Sequence, residues 1–151
     1  MLDQTDKSLL AMLQRDANLT TQQLGDLLNL STSQAGRRRQ RLESDGYIQN
    51  YAARVDPLRV GLAVQAFVQV QLGSHGSEQS ESIARLFSLR QEITSVWTLT
   101  GDADYLLRVY CEDLSALNRL IHEVLLPHEA VARVQSQIVM DQLKRDAPLP
   151  T

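Results

Sequence analysis

An α+β fold is predicted, with three short helices at the front of the chain and a strand–helix–strand–strand–helix–strand unit behind them. Three observations predict it. Apolar residues recur at helical spacing as far as Leu42, the pattern switches to a period of two beyond Asp56-Pro57, and helical and strand-like stretches then alternate.

Length and composition set the frame for that class. At 151 residues, with 43% hydrophobic and 22% charged residues, the chain suits one or two domains with packed cores. It holds no apolar run long enough to span a bilayer. The opening MLDQTDKSLL carries Asp3 and Asp6 where a signal peptide needs basic residues, so a cytoplasmic protein is expected. Cys111 is the single cysteine, which excludes an internal disulfide and a CxxC zinc site and leaves a buried thiol as the expectation. The net charge of -3 is unevenly spread, at +1 over residues 1–60 and -4 over residues 61–151. A mildly basic head on an acidic body is a charge pattern for a binding head.

The first helix carries Leu9, Leu10, Met12 and Leu13 at helical spacing, and either Asp3 or Asp6 can cap it. The second opens on Thr20 and Gln23, spaced as a capping box, and continues with an apolar stripe of Leu24, Leu27 and Leu28 that Asn29 breaks. The signal repeats at once in the third helix, with Ser31 and Gln34 as a second box and Ala35 and Leu42 on one face. Gly46 ends that helix. Only Asn29 and Leu30 separate the second stripe from the next cap, so the two helices turn sharply against each other, which is helix-turn-helix spacing.

Residues 47–55 suit an extended segment, and Asp56-Pro57 marks a hinge. Val64, Ala66, Val68, Val70 and Leu72 then alternate with Gln65, Gln69 and Gln71, the mark of a half-buried strand. After a loop, Ile83, Leu86, Phe87 and Arg90 follow helical spacing. Ile93 to Leu99 and Tyr105 to Tyr110 form a hairpin around the turn TGDAD, with Trp97 expected in the core. Asp113 caps a helix carrying Leu114, Leu117, Leu120, Ile121 and Val124, Pro127 ends it, and Val131 to Met140 forms a last strand. The order βαββαβ is that of a ferredoxin-like unit. The expected division is a three-helix helix-turn-helix domain at 1–50, a hinge at 51–62, a ferredoxin-like domain at 63–144 and a tail at 145–151.

The third helix holds Arg37, Arg38, Arg39 and Arg41 within five positions. With Ala35 and Leu42 facing inward, Ser33, Arg37, Gln40 and Arg41 point outward, Gln34 and Thr32 lie beside them at the helix start, and Arg38 and Arg39 lie on the flanks. Arginine neutralises phosphate or bonds guanine, and Gln pairs with adenine, so this face suits the major groove of double-stranded DNA. A solvated basic face is the alternative reading. The loop Gly101-Asp102-Ala103-Asp104-Tyr105 can offer amides and carboxylates to a small polar ligand, though an ordinary hairpin turn uses the same residues.

No catalytic constellation is apparent. His75, His122 and His128 fall in no metal-ligand or nucleophile motif, so neither an enzyme nor a cofactor or metal is expected. An RNA-recognition role for the sheet would need an aromatic-rich strand where YLLRVY stands.

The segments LDQTDKSLLAMLQRDANLTTQQLGDLLNLSTSQ, RLESDGYIQNYAARVDP and TGDADYLLRV, in this order, resemble the Lrp/AsnC family of transcription regulators over residues 2 to about 144. The resemblance implies a helix-turn-helix domain joined by a hinge to a βαββαβ domain that binds amino acids and assembles dimers into tetramers or octamers. Ser31 matches the family's cap of the recognition helix, Arg38 its usual arginine, and Leu42, Glu43 and Gly46 its helix end. Arg39 departs from the pattern, standing where the family has a small or β-branched apolar residue. In the second domain Gly101 and Asp104 match the loop that frames the effector pocket, with Asp102 between them. Thr98, Gln137 and Ile138 occupy pocket-lining positions, and variation in the family at Thr98 and Gln137 leaves the amino acid unspecified.

Overall fold

A computed structural model of the chain describes residues 1–73 and 76–151, so His75 lies outside the described residues. The chain forms two compact units, one of residues 1–54 with 143–151 and one of residues 55–142.

The first unit holds α1 (Gln4–Arg15), α2 (Thr21–Leu28) and α3 (Thr32–Ser44). All three open on capping boxes. Thr20 with Gln23 and Ser31 with Gln34 act as their spacing predicts, and of the two candidate caps of α1 it is Asp3 that caps and Asp6 that reciprocates. Leu9, Leu24, Ala35 and Leu42 are fully buried and pack with Leu10 and Leu13 into one core. Leu27, expected in the α2 stripe, sits at its edge and is exposed.

The α2–α3 turn is tighter than composition alone conveys. Asn29 adopts the left-handed conformation at φ 54°, and Leu30 donates its N–H to the Gly25 carbonyl at 2.8 Å. A Cβ on Gly25 would lie 2.7 Å from the Leu30 carbonyl oxygen, so only a hydrogen fits where the two backbones meet. At the far end of α3, Gly46 turns the chain at φ 77° and Ile48 donates back to the Leu42 carbonyl at 3.1 Å.

Residues 145–151, a tail by sequence, return to this unit. Gln14 brackets Leu149, accepting from its N–H at 2.6 Å and donating to its carbonyl at 3.2 Å, and Arg54 donates to the Asp146 carbonyl at 2.8 Å.

The second unit is built from β1 (Val64–Leu72), α4 (Ser77–Ser88), β2 (Ile93–Thr98), β3 (Tyr105–Cys111), α5 (Leu114–Arg119) and β4 (Val131–Ile138). Past Arg119, α5 widens into a π-helical segment over Leu120–Leu125. The sheet order is β2-β3-β1-β4, antiparallel throughout, which is the ferredoxin-like arrangement. The alternation in β1 sorts as expected: Ala66, Val68, Val70 and Leu72 are buried in the core with Ile83, Phe87, Leu107, Val109 and Leu117, and the glutamines take the other face. Cys111 is buried, and burial, followed by the nearby Glu92, pushes its thiol pKa up.

Trp97 corrects its expectation. Its register partner Leu106 belongs to the face opposite the core, so Trp97 stands 43% exposed with the Arg108 guanidinium 5.9 Å from its ring centre. A two-residue period places alternate residues on opposite faces without saying which face the helices cover.

Candidate nucleic-acid interface and effector loop

The start of α3 is closed by its capping box. Ser31 accepts from the Gln34 N–H at 3.2 Å, and the Gln34 side chain accepts from the Ser31 N–H at 3.0 Å, which commits Gln34 to the cap. The Ser33 hydroxyl lies 3.1 Å from that of Ser31, and Thr32, Ser33 and Gln34 are all exposed.

The four arginines divide into three groups. Arg37 and its neighbour Gln40 are exposed, and among the described residues their side chains make no hydrogen bond or ion pair. Arg38 and Arg41 turn to α1: Arg38 Nη1 donates to Asp3 Oδ2 at 2.6 Å and to Asp6 Oδ1 at 2.7 Å, while Arg41 Nη2 donates to Asp6 Oδ2 at 2.5 Å. The Asp6 side chain is fully buried, whereas those of Arg38 and Arg41 keep 29% and 48% of their surface exposed. A carboxylate removed from water requires such partners, and each of its oxygens has a guanidinium. The Asp6 backbone N–H, and after it the Arg38 guanidinium, hold the Asp3 carboxyl below the usual carboxylate range.

Arg39 explains its own departure from the family pattern. It donates to the Leu19 carbonyl at 3.0 Å, to Glu43 at 3.0 Å and to the Tyr51 hydroxyl at 3.2 Å, and its guanidinium lies 4.9 Å from the Tyr51 ring centre. Tyr51 in turn donates to Glu43 at 2.7 Å, and this bond, with the Arg39 contact behind it, holds the Glu43 carboxyl low. Arg39 therefore ties α3 to the start of α2 and to the extended segment, where a small apolar residue could only fill space.

In the second unit Asp104 anchors its loop. Its carboxylate accepts from the Leu72 N–H at 2.7 Å, its N–H donates to the Val70 carbonyl at 3.0 Å and its own carbonyl accepts from Leu99 at 2.9 Å. Gly101 takes φ 113°, a conformation that favours glycine, and a Cβ there would meet nothing within 4 Å. Asp102 and Ala103 line a small cavity of about 120 Å³ with Gln69, Gln71, Arg133 and Gln135.

The remaining predicted residues do not join that cavity. Thr98 pairs with Tyr105 at the edge of the sheet, Gln137 stands opposite Phe67 on the open face, and Ile138 stands opposite Ala66 on the other. The sequence reading passed over Arg133, Gln69, Gln71 and Gln135, which look like ordinary outward strand residues until the register brings them together. It also missed Asp3 and Asp6 as partners of α3, for which no local signal exists.

Residues 65–149 match the family described as the Lrp/AsnC ligand binding domain, and residues 2–49 match a winged helix-turn-helix DNA-binding family. The chain belongs to the Lrp/AsnC family. It is a DNA-binding transcriptional regulator by that membership, and no helix among its described residues is long and apolar enough to cross a membrane. The DNA-binding transcriptional activator DecR of Escherichia coli K12 is 33% identical to this Lrp/AsnC chain over 99% of both proteins. The leucine-responsive regulatory protein of Salmonella typhimurium is 30% identical over 95% of this chain and 88% of its own. Among solved structures, a Neisseria meningitidis transcriptional regulator in complex with L-Met superposes with a TM-score of 0.95 at 34% identity, covering 99% of this chain and 97% of its own.

Proposed function

We propose that this Lrp/AsnC regulator reads double-stranded DNA through the outward face of α3, with Thr32, Ser33, Arg37 and Gln40 toward the groove, Gln34 holding the helix start beside them, and Arg38 and Arg41, engaged by α1, on the flank. The observation that carries this reading is the pairing of an inward face, Ala35 and Leu42, fully buried, with an outward face on which Arg37 and Gln40 are exposed and unengaged. A helix of thirteen residues is about 20 Å long, enough to lie in a major groove about 12 Å wide with several side chains at base edges. Arginine supplies phosphate or guanine contacts there, and Gln40 supplies the paired donor and acceptor that adenine requires.

An amino acid tunes the protein in this proposal, held at the loop of Gly101, Asp102 and Asp104 with Thr98, Gln137 and Ile138 contributed around it. The L-Met complex of the Neisseria relative supports the ligand class, and Asp102 beside Arg133 supplies the two opposite charges that an ammonium and a carboxylate need. Because Gln137 and Ile138 point to opposite faces of β4, a complete pocket requires a second subunit. The protein is then a cytoplasmic homodimer that builds tetramers or octamers, two heads reading half-sites about one helical turn or a multiple apart. The open sheet face presents Trp97, Phe67 and Leu106 among glutamines and arginines, apolar surface that a second subunit would cover.

Two measurements test this. Anisotropy titrations at two salt concentrations with DNA from upstream of the protein's own gene should give tighter binding than random DNA of equal length. Calorimetry and light scattering with each of the twenty amino acids should find one that binds and shifts the oligomer or the DNA affinity. Equal affinity for both DNAs overturns sequence-specific reading, and silence toward every amino acid overturns the effector.

A further inference from the structure

The cluster of Asp3, Asp6, Arg38 and Arg41 has a consequence for how the recognition helix uses its charge. A phosphate senses the net charge near it, and Asp3 and Asp6 balance Arg38 and Arg41 one for one at 2.5 to 2.7 Å. Arg39 is balanced in the same way by Glu43 at 3.0 Å. Of the four arginines in α3, Arg37 alone keeps an uncompensated guanidinium among the described residues. A bare run of four would bind any phosphate backbone, because sequence-independent affinity grows with the number of phosphates neutralised.

We propose that Asp3 and Asp6 are specificity-determining residues that act as an acidic brake, withholding the charge of Arg38 and Arg41 from the DNA backbone so that discrimination rests on Arg37 and Gln40. The proposal rests on the reading of α3 as the DNA-contacting helix. Its geometry supports a brake and not a mere strut. Arg38 and Arg41 are part-exposed at the surface of α3 and can be drawn outward, while the Asp6 carboxylate that holds them is fully buried and cannot follow. Asp3 is half-exposed and shares Arg38 with Asp6, so it is the partner a competing phosphate displaces first. The two acids are the cap and a first-turn residue of α1, far in sequence from the helix they control, which lets the strength of the brake vary without changing any side chain that faces the groove.

The test is Asp3→Asn. Asparagine caps a helix as well as aspartate does, so the fold is kept while one charge is removed at an exposed position. Binding to random DNA should tighten about fivefold at low salt, the effect of one unit charge at close range in water. The slope of log K against log salt should steepen by about 1 for each head engaged, and the ratio of operator to random affinity should fall. Asp6→Asn should act in the same direction and more strongly wherever its circular dichroism matches the parent, and Asp3→Asn decides the matter alone if it does not. Arg37→Ala separates the two levels. If Arg37→Ala weakens operator binding but Asp3→Asn leaves random affinity, slope and ratio unchanged, the brake is refuted and the α3 reading stands. If Arg37→Ala binds operator as tightly as the parent, the α3 reading fails and the brake fails with it.

Discussion

The buried carboxylate of Asp6 makes an asymmetric prediction about stability. Two routes dismantle the cluster: removing the acid, Asp6→Ala, or removing both bases, Arg38→Ala with Arg41→Ala. Asp6→Ala leaves two guanidiniums that are 29% and 48% exposed and can rehydrate, with Arg38 still bonded to Asp3 at 2.6 Å. Its cost should lie at the lower end of the range for breaking a buried pair, about 3 kcal/mol. The double arginine variant leaves a fully buried carboxylate whose remaining hydrogen-bond donor among the described residues is the Asp3 N–H at 3.1 Å, and it should cost about 5 kcal/mol despite removing only surface-reaching side chains. Either is a large share of the roughly 5 to 15 kcal/mol that holds a domain together. Urea unfolding followed by circular dichroism at 222 nm measures both. An Asp6→Ala variant less stable than the double arginine variant, or either within about 1 kcal/mol of the parent, would refute the reasoning, because the burial of Asp6 would then not set the energy.

Three further outcomes are expected. Gly25→Ala should destabilise the first unit by about 1 to 3 kcal/mol, since the new methyl would sit 2.7 Å from the Leu30 carbonyl oxygen, and a gain in stability from better helix propensity would contradict that contact. Asp104→Ala should cost the second unit about 1 to 3 kcal/mol through the lost Leu72 N–H bond, whereas Asp104→Asn keeps an acceptor there; loss of amino-acid binding in Asp104→Asn with an unchanged melting temperature would identify the charge itself as the ligand contact. The carboxyls of Asp3 and Glu43 are held low in the folded chain, so each contributes stability that is present above its unfolded pKa and lost as pH falls through its folded one; the first unit should lose stability below about pH 4, and Asp3→Asn should flatten that acid limb.

The parts of this molecule legible in the sequence are those whose cause is local. A capping box joins residues three apart, so Thr20 with Gln23 and Ser31 with Gln34 could be read directly, and the alternation of Val64 to Leu72 named its buried face because three of the four residues between them, all but Phe67, are glutamine. The family motifs supplied the place of the loop from Gly101 to Asp104 by the same kind of contiguous signal. Tertiary structure decided whatever depends on residues distant in the chain. Asp6 meets Arg38 and Arg41 across 32 and 35 positions, and Gln14 meets Leu149 across 135. Spacing set Arg37 and Arg41 outward with Arg38 and Arg39 on the flanks, and only the packing of α1 against α3 engages Arg41 together with Arg38 and so separates it from Arg37. Trp97 shows the same limit in the sheet, where period two fixes that neighbours point apart while the face that meets the helices follows from how β2 registers on β3. Local hydrogen-bond geometry is written in nearest-neighbour order, whereas charge compensation and burial are properties of surfaces that exist only once the chain has folded.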